Sequence, residues 1–303
     1  MTLPNLLIAG VPKGGTTSLF RYLEQHPEIC PASVKEIGYF SPLRSEGGVL
    51  PSTDSYSQHF DHCDKERYAM EATPAYSYGG VRMIQGIKTV LDRPRILIVL
   101  RNPVDRLWSA YTFQRTKGHL PGVSSFEDYV SICNDKRRKG EKQGPYFGGV
   151  TIGFYGEYLQ DWFDLFERDV KILFADNLFT DPQTVVKDVC RWLSIDANPA
   201  TDFDYDVRNK TAHARNITVS RAARTMKRTG GELLKRAPAL EHVLRRTYVR
   251  LNTGDLEEKL STETRRRLED MYLPSNIKVA QLLKARGYGR LPSWLTLEPV
   301  RQQ

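Results

Sequence analysis

Two short segments of the chain combine residue types that bind anions. The first is GVPKGGTT at residues 10–17, between a short apolar run and a helical pattern. Glycines let backbone N–H groups converge on one point, and the start of a helix adds unpaired donors at its positive end. Lys13 supplies a mobile positive charge, while Thr16 and Thr17 supply hydroxyl donors. The segment therefore predicts a loop that binds a phosphate or a similar anion.

This loop has two other interpretations. Gly10 and Gly15 have the glycine spacing of the Walker A loop, which would make the protein a P-loop nucleotide-dependent kinase. That loop needs lysine directly after its last glycine, where this chain has Thr16, so kinase chemistry is disfavoured. An ordinary strand-to-helix turn, with Thr16 as N-cap and Lys13 in solvent, explains the glycines without using the lysine.

The second segment, RNPVDRLWS at residues 101–109, follows the strongest predicted strand. In phosphoryl-transfer enzymes a strand in this position commonly ends in an aspartate that holds Mg²⁺. An arginine at the carboxyl edge of a parallel sheet favours a bound anion and no metal. The Asn-Pro pair has a structural explanation as helix N-cap and first helical residue. Arg101 and Ser109 are left as side chains that can reach a phosphate.

The elements that position these segments alternate between short apolar runs and longer helical patterns. Strands are predicted at residues 6–9, 68–70, 95–100 and 170–174, and helices from 16, from 103, and at 154–166, 184–193 and 261–286. This order predicts an α/β fold, a P-loop-like parallel β-sheet flanked by helices. We expect one domain over residues 1–303, with its core at 5–200 and an added helical C-terminal region at 217–290.

Composition narrows the class of protein further. A hydrophobic fraction of 40% and a charged fraction of 26% fit a packed soluble protein and exclude a disordered or collagenous chain. No apolar run approaches the roughly 20 residues that cross a bilayer, and the apolar start has no basic leader, so we expect a cytoplasmic protein. The four cysteines stand far apart without a C-x-x-C motif, which predicts free thiols and neither a zinc site nor a disulfide framework.

The formal net charge of +8 favours anionic partners without naming one. No zinc-finger spacing, RNP motif or evident helix-turn-helix pattern supports nucleic acid as that partner. Much of the positive charge lies in an arginine-rich helical stretch at residues 221–250. A solvated basic face explains this stretch, but it also suits a surface that guides an anionic acceptor or rests on lipid headgroups. A non-enzymatic polyanion-binding protein is therefore a further alternative.

Taken together, the motifs resemble those of sulfotransferases that use 3′-phosphoadenosine 5′-phosphosulfate (PAPS). PKGGTTSL at residues 12–19 resembles their 5′-phosphosulfate loop, and the segment at 101–109 resembles their 3′-phosphate motif. KEIGYF at 35–40 resembles the K-E-x-x-F-F element of the heparan-sulfate-type branch and its bacterial relatives. EATPAY at 71–76 and the Gly-x-Tyr…Trp pattern at 153–162 also recur there. The resemblance covers residues 5–196 in a fixed order.

This resemblance implies roles for single residues. Lys13 would stabilise charge that develops on the oxygen between sulfonate and phosphate, and Glu36 would be the general base. Arg101 and Ser109 would hold the 3′-phosphate. The remaining donor-binding residues would be Gly14, Gly15, Thr16, Thr17 and Ser18 around the 5′-phosphate. The family's C-terminal loop over the 3′-phosphate is not clearly reproduced, and residues 209–215, with Lys210 and Arg215, are the candidate replacement. PAPS would be the donor and adenosine 3′,5′-bisphosphate the product, with no metal.

The acceptor is expected to be a hydroxyl of a carbohydrate, a glycolipid or another small metabolite. In-line transfer needs a base opposite the leaving phosphate, which is the role given to Glu36. The alternative is a surface Glu36 that pairs with Lys35 or an arginine. The acceptor-binding candidates are Glu36, Glu71, Tyr76 and His59, and His59 and His62 are the alternative bases. Heparan-type enzymes carry lysine where this chain has Ala72, which disfavours an acceptor of the heparan type.

Overall fold

Five parallel strands form one sheet in the order β2-β3-β1-β4-β5. The computed structural model describes residues 2–141, 144, 146–206 and 258–296. The strands are Leu6–Gly10 (β1), Ile29–Pro31 (β2), Tyr68–Ala72 (β3), Arg95–Leu100 (β4) and Val170–Phe174 (β5). Four of them were predicted, and only the three-residue β2 was missed, because so short a run has no pattern of its own. The predicted α/β fold with a parallel sheet is confirmed.

Helices pack on both faces of this sheet. In the described residues they are Thr16–Leu23 (α1), Thr53–Ser57 (α2), Val81–Leu91 (α3), Pro103–Thr116 (α4), Phe126–Arg138 (α5), Gly149–Ile152 (α6), Leu159–Phe166 (α7), Ala175–Thr180 (α8), Pro182–Leu193 (α9) and Thr262–Lys284 (α10). The helix predicted at 154–166 begins later, since Tyr155–Glu157 forms a 3₁₀ turn. Helix α9 begins two residues before its predicted start, because Asp181 caps it by accepting from the Thr184 N–H at 3.1 Å.

The sheet separates two hydrophobic cores. Successive side chains of a strand point to opposite faces. Ile96 and Ile98 accordingly lie in one core, and Leu97 and Val99 in the other. Such burial on both faces of the sheet explains why every residue of β4 after Arg95 is apolar. Trp162 is fully buried in the first core, and the half-buried Trp192 packs against the second.

The chain divides into two compact units. The first comprises residues 1–106, 154–208 and 270–303, and its described part contains the whole sheet; the second comprises residues 107–153 and 209–269. Within the second unit, Glu258 accepts hydrogen bonds from the Tyr111 hydroxyl at 2.7 Å, from the Phe126 N–H and from Arg115. A single domain over the whole chain stays a prediction. The basic stretch at 221–250 lies outside the described residues.

A disulfide joins Cys30 to Cys63, whose Cα atoms are 5.7 Å apart. The prediction of four free thiols is wrong for this pair, while Cys133 and Cys190 are free and buried. Cys30 lies on β2, and Cys63 lies in the segment that leads into β3, the strand that pairs with β2. The pairing depends on this strand neighbourhood, which the spacing of cysteines along the chain does not reveal.

We expect reduction of this disulfide to lower the free energy of unfolding by about 3–4 kcal/mol, because the bridge closes a loop of about 33 residues in the unfolded chain. Denaturant unfolding with and without a phosphine reductant measures the difference. The double variant Cys30→Ser/Cys63→Ser should start at the lower stability and no longer respond to the reductant. Equal stability of the oxidised and reduced wild-type protein would contradict the prediction.

Candidate active site

The loop GVPKGGTT connects the carboxyl end of β1 to the first residue of α1. Lys13 and Gly15 both have positive φ, at 68° and 99°. Gly15 is the N-cap of α1, and among the described residues no side chain hydrogen-bonds to that cap. Thr16 is the first helical residue and is 3% exposed. The turn capped by Thr16, considered above as an alternative, is therefore not the one that forms.

Backbone contacts hold this loop against the end of β4. The Val11 N–H donates to the Val99 carbonyl at 3.0 Å, and the Gly14 N–H donates to the Val11 carbonyl at 2.9 Å. A Cβ on Gly14 would lie 2.5 Å from the Val99 oxygen, so only glycine permits this approach. The first four N–H groups of any helix have no partner within it. At α1 these belong to residues 15–18, which makes them available to an anion.

Arg101 brings the second motif to the same place. It follows the last residue of β4, and its Nη1 donates to the Lys13 carbonyl oxygen at 3.1 Å. Its own carbonyl oxygen accepts from the Tyr155 hydroxyl at 2.7 Å, which fixes the backbone there. Burial lowers the pKa of Arg101, but an arginine keeps its charge in proteins. Lys13 of the first predicted anion motif and Arg101 of the second therefore meet at the carboxyl edge of the sheet.

Lys13 has an unusual protonation equilibrium. Burial, and then the positive charge of Arg101, lower its pKa to about 8, while the negative charge of Glu36 acts in the opposite direction. Lys13 is therefore still mainly protonated near neutral pH and loses its charge just above it. Two cations held side by side repel each other, so an anion bound between them is favoured. Glu36 is thus near enough for its charge to act on Lys13, and its role in the site stays a prediction.

Glu36 stands in the loop between β2 and the buried Phe40. Its N–H donates to the Ala72 carbonyl at 2.9 Å, and its φ is 66°. The side chain is 62% exposed, and the Lys35 Nζ lies 2.8 Å from its Oε1. The expected surface pair with Lys35 thus exists, but an exposed ion pair contributes only about 0–1 kcal/mol. It does not prevent the carboxylate from engaging a substrate.

The other acceptor-binding candidates lie in different surroundings. Glu71 and Tyr76 are 0% and 1% exposed and hydrogen-bond to each other at 2.8 Å. Direct contact with an acceptor stays a prediction for both, and their burial argues against it. His59 is half-buried, with Nδ1 3.1 Å from the Ser33 hydroxyl. The His62 Nε2 lies 2.9 Å from the Pro31 carbonyl oxygen.

Three further donor-binding candidates stay predictions. Ser109 lies on α4 in the second compact unit, so its role stays a prediction. Lys210 and Arg215 lie outside the described residues. Thr17 and Ser18, by contrast, belong to the first turn of α1 beside Lys13.

One residue of the site was not found from the sequence. Phe179 on α8 is 44% exposed, and its ring centroid lies 5.6 Å from the Arg101 guanidinium carbon. A Cβ on Gly15 would be 3.0 Å from the same ring. Phe179 therefore forms one wall beside both motifs. Its only sequence signal is an aromatic residue shortly after β5, at the edge where the other strands present their functional groups.

Within the described parts of the chain, one cluster has the donor types of a metal site: Cys30, His62 and Cys63. Both sulfur atoms belong to the disulfide, so neither is a thiolate ligand. The site around Lys13 offers N–H groups, an ammonium and a guanidinium, which are donors to anions. The absence of a metal from the reaction stays a prediction.

Comparison with known proteins agrees with this geometry. The family described as "Sulfotransferase domain" matches residues 3–272, and the chain belongs to that family. The human heparan sulfate glucosamine 3-O-sulfotransferase 3B1 is 24% identical over 283 residues, which cover 92% of this chain and 63% of that protein. The Dictyostelium discoideum membrane-associated sulfotransferase kil1 is 34% identical over 116 residues, 37% of this chain and 23% of the relative. The chain thus spans less than two thirds of these relatives.

A solved structure shows the same fold. The sulfotransferase from Alicyclobacillus acidocaldarius has a TM-score of 0.69 and 22% identity, and the match covers 98% of this chain and all of that one. The resemblance noted from the motifs is therefore confirmed at the level of family and fold. No helix of the described residues is both long and apolar enough to cross a membrane.

Proposed function

We propose that this chain transfers a sulfonate group from PAPS to a hydroxyl of an acceptor and releases adenosine 3′,5′-bisphosphate, without a metal. The observation that carries the proposal is the hydrogen bond from Arg101 to the Lys13 carbonyl, which joins two anion-binding motifs at one edge of the sheet. Membership of the sulfotransferase family supports it.

The residues present fit a doubly phosphorylated donor. The N–H groups at the start of α1, with Thr16, Thr17 and Ser18, would hold the 5′-phosphate beside Gly14 and Gly15. Arg101, with Ser109 from α4, would hold the 3′-phosphate; Lys210 and Arg215 stay candidates for closing over it. Arginine at the tip of β4 supplies no carboxylate for Mg²⁺, which is the feature that separates this site from that of a kinase.

Two side chains would carry the chemistry. The bound donor supplies an activated sulfonate with a phosphate leaving group. Lys13 neutralises negative charge that develops on the leaving oxygen, and the low-pKa ammonium can share its proton with that oxygen. Glu36 accepts the proton of the attacking hydroxyl. The influence of Glu36 on the pKa of Lys13 supports an arrangement in which both act on one substrate complex.

For the acceptor we propose a hydroxyl of a carbohydrate, a glycolipid or another small metabolite, and not nucleic acid. The named activity of the human relative, on glucosamine of heparan sulfate, supports a sugar hydroxyl. Ala72 is fully buried at the position where heparan-type enzymes carry lysine, which supports a different sugar. A screen with donor labelled in its sulfur tests this with a heparan oligosaccharide, galactosylceramide, 4-nitrophenol and water as acceptors.

A cytoplasmic location and membrane contact through residues 221–250 both stay proposals. Disulfides are typical of oxidising compartments, so the Cys30–Cys63 bridge favours a site outside the reducing cytosol. Cell fractionation with antibody detection distinguishes these locations.

The donor proposal is tested by thermal unfolding of the purified protein. Adenosine 3′,5′-bisphosphate should raise the melting temperature, because a ligand at 100 times its Kd adds about 2.7 kcal/mol to the stability of the folded state. ATP with Mg²⁺ should give a smaller shift. A larger shift with ATP and Mg²⁺ would support the kinase alternative. A shift with heparin only would support the polyanion-binding alternative.

Affinity for adenosine 3′,5′-bisphosphate should fall as the pH rises above about 8. In the ligand-free protein Lys13 loses its proton there, whereas the bound phosphates raise its pKa. Binding therefore takes up a proton and weakens by up to about tenfold per pH unit. Calorimetric titrations between about pH 7 and about pH 9 measure the slope. Lys13→Arg keeps its charge throughout and should flatten the profile. An equal slope in both proteins would place the titrating group elsewhere.

A further inference from the structure

The buried carboxylate of Glu71 is the centre of a hydrogen-bond network in the first hydrophobic core. Its Oε1 accepts from the Thr73 hydroxyl at 2.6 Å and from the Tyr76 hydroxyl at 2.8 Å. Its Oε2 accepts from the Tyr56 hydroxyl. Burial raises the pKa of Glu71, and these three donors act in the opposite direction by stabilising the charged form. A fully buried acid is costly unless it is hydrogen-bonded, and these three donors supply the bonds.

Two of the three hydroxyls also accept hydrogen bonds from the N–H groups of a backbone segment. The Thr73 Oγ1 accepts from the Gly38 N–H at 3.2 Å, and the Tyr76 hydroxyl accepts from the Phe40 N–H at 3.3 Å. A hydroxyl has one proton to donate and lone pairs with which to accept. Both hydroxyls donate their hydrogen bonds to Glu71. Their oxygens are therefore oriented to accept from the N–H groups of the segment.

The segment held in this way, residues 36–40, carries Glu36. Glu36 has a φ of 66° and Gly38 a φ of 70°. A non-glycine residue in this region is strained by about 1–3 kcal/mol and persists only where its surroundings enforce it. The enforcing contacts are the Glu36 N–H bond to the Ala72 carbonyl on one side and the two hydroxyl bonds on the other. Since the Glu36 side chain is largely exposed, its direction depends mainly on this backbone.

We propose that Glu71 is a positioning residue for Glu36, acting through Thr73 and Tyr76 on the backbone of residues 36–40. This inference rests on the proposed role of Glu36 as general base. It differs from a direct contact between Glu71 and the acceptor, which the complete burial of Glu71 does not favour.

The chain offers a matched control. Tyr56 is as buried as Tyr76 and also donates to Glu71. Among the described residues, however, no hydrogen bond joins its hydroxyl to the backbone of 36–40; its ring stacks on Tyr39, a contact that phenylalanine preserves. Tyr56→Phe therefore removes a hydroxyl from Glu71 without removing a contact to the segment. Thr73→Val and Tyr76→Phe each remove one such contact at nearly constant shape.

The experiment measures kcat with the acceptor that the wild type sulfonates fastest in the screen. Water counts as one of these acceptors. Thr73→Val/Tyr76→Phe should lower kcat by about 10- to 100-fold, because a small displacement of a catalytic group costs that much. The Kd for adenosine 3′,5′-bisphosphate should not change, and Tyr56→Phe should keep its kcat. Glu71→Gln keeps an acceptor oxygen towards Thr73 and Tyr76 and should retain more activity than Glu71→Leu.

A double-mutant cycle with Glu36→Gln separates positioning from general destabilisation. If the network acts through Glu36, Thr73→Val/Tyr76→Phe should have no further effect on kcat once Glu36 is glutamine. Additive losses, or an equal loss in Tyr56→Phe, would overturn the positioning role and leave the base assignment intact. Full activity of Glu36→Gln itself would instead overturn the proposed function of Glu36.

Discussion

Replacing Glu36 with glutamine should lower kcat for sulfonate transfer by about 10²–10⁴-fold, the usual contribution of a general base. Glutamine keeps the shape of the side chain but cannot take a proton from the acceptor hydroxyl. The Kd for adenosine 3′,5′-bisphosphate should stay close to the wild-type value at pH 7, because the charge of Glu36 has a smaller effect on Lys13 than burial and Arg101 have. Steady-state kinetics with labelled donor and calorimetric titration give the two numbers.

Glu46→Gln is a suitable control for this variant, since Glu46 is an exposed glutamate further along the same connection. It should leave kcat unchanged. If Glu36→Gln turns over at the wild-type rate, another group removes the proton, and His59 is then the first residue to test. If Glu36→Gln loses donor binding as well, Glu36 shapes the donor site and is not a base alone.

Replacing Lys13 with methionine should lower kcat by about 10²–10³-fold, as for other groups that stabilise charge on a developing oxyanion. Methionine retains much of the apolar stem and removes the ammonium. Binding of adenosine 3′,5′-bisphosphate should weaken as well, because Arg101 would then be the remaining cation whose contact with the loop is established. Kinetics and calorimetry at pH 7 separate the loss of rate from the loss of affinity.

Lys65→Met is the control, because Lys65 is exposed in the segment before β3. Lys13→Arg should bind the nucleotide and still transfer slowly, since a guanidinium keeps the charge but holds its proton too firmly to share it. Wild-type kcat in Lys13→Met would show that the loop lysine has no part in the chemistry.

The central strands and the two anion motifs could be predicted because their signals are local. Residues 96–100 form an uninterrupted β-branched and apolar run, and Arg101 follows it directly. In a parallel sheet the carboxyl ends of neighbouring strands lie at one edge. From the order of elements alone, Arg101 was therefore expected near Lys13, and the structure places a hydrogen bond between them.

The contacts that were missed depend on which segments the fold brings together. The pairing of Cys30 with Cys63 depends on the fact that β2 and β3 are neighbours in the sheet. The sequence places Glu71 after the predicted strand at residues 68–70, next to Ala72, and its contact with the acceptor stays a prediction. Glu71 lies within β3 instead, and hydroxyls from α2 and from the turn after β3 enclose it. No spacing along the chain predicts which buried hydroxyls meet a carboxylate.

A crystal structure with adenosine 3′,5′-bisphosphate tests the central proposal most directly. We predict the 5′-phosphate on the N–H groups that open α1, with Lys13 beside it, and the 3′-phosphate within hydrogen-bonding distance of the Arg101 guanidinium. A nucleotide bound away from both motifs would contradict the proposal, as would a crevice that stays empty or one that accepts a magnesium triphosphate in its place.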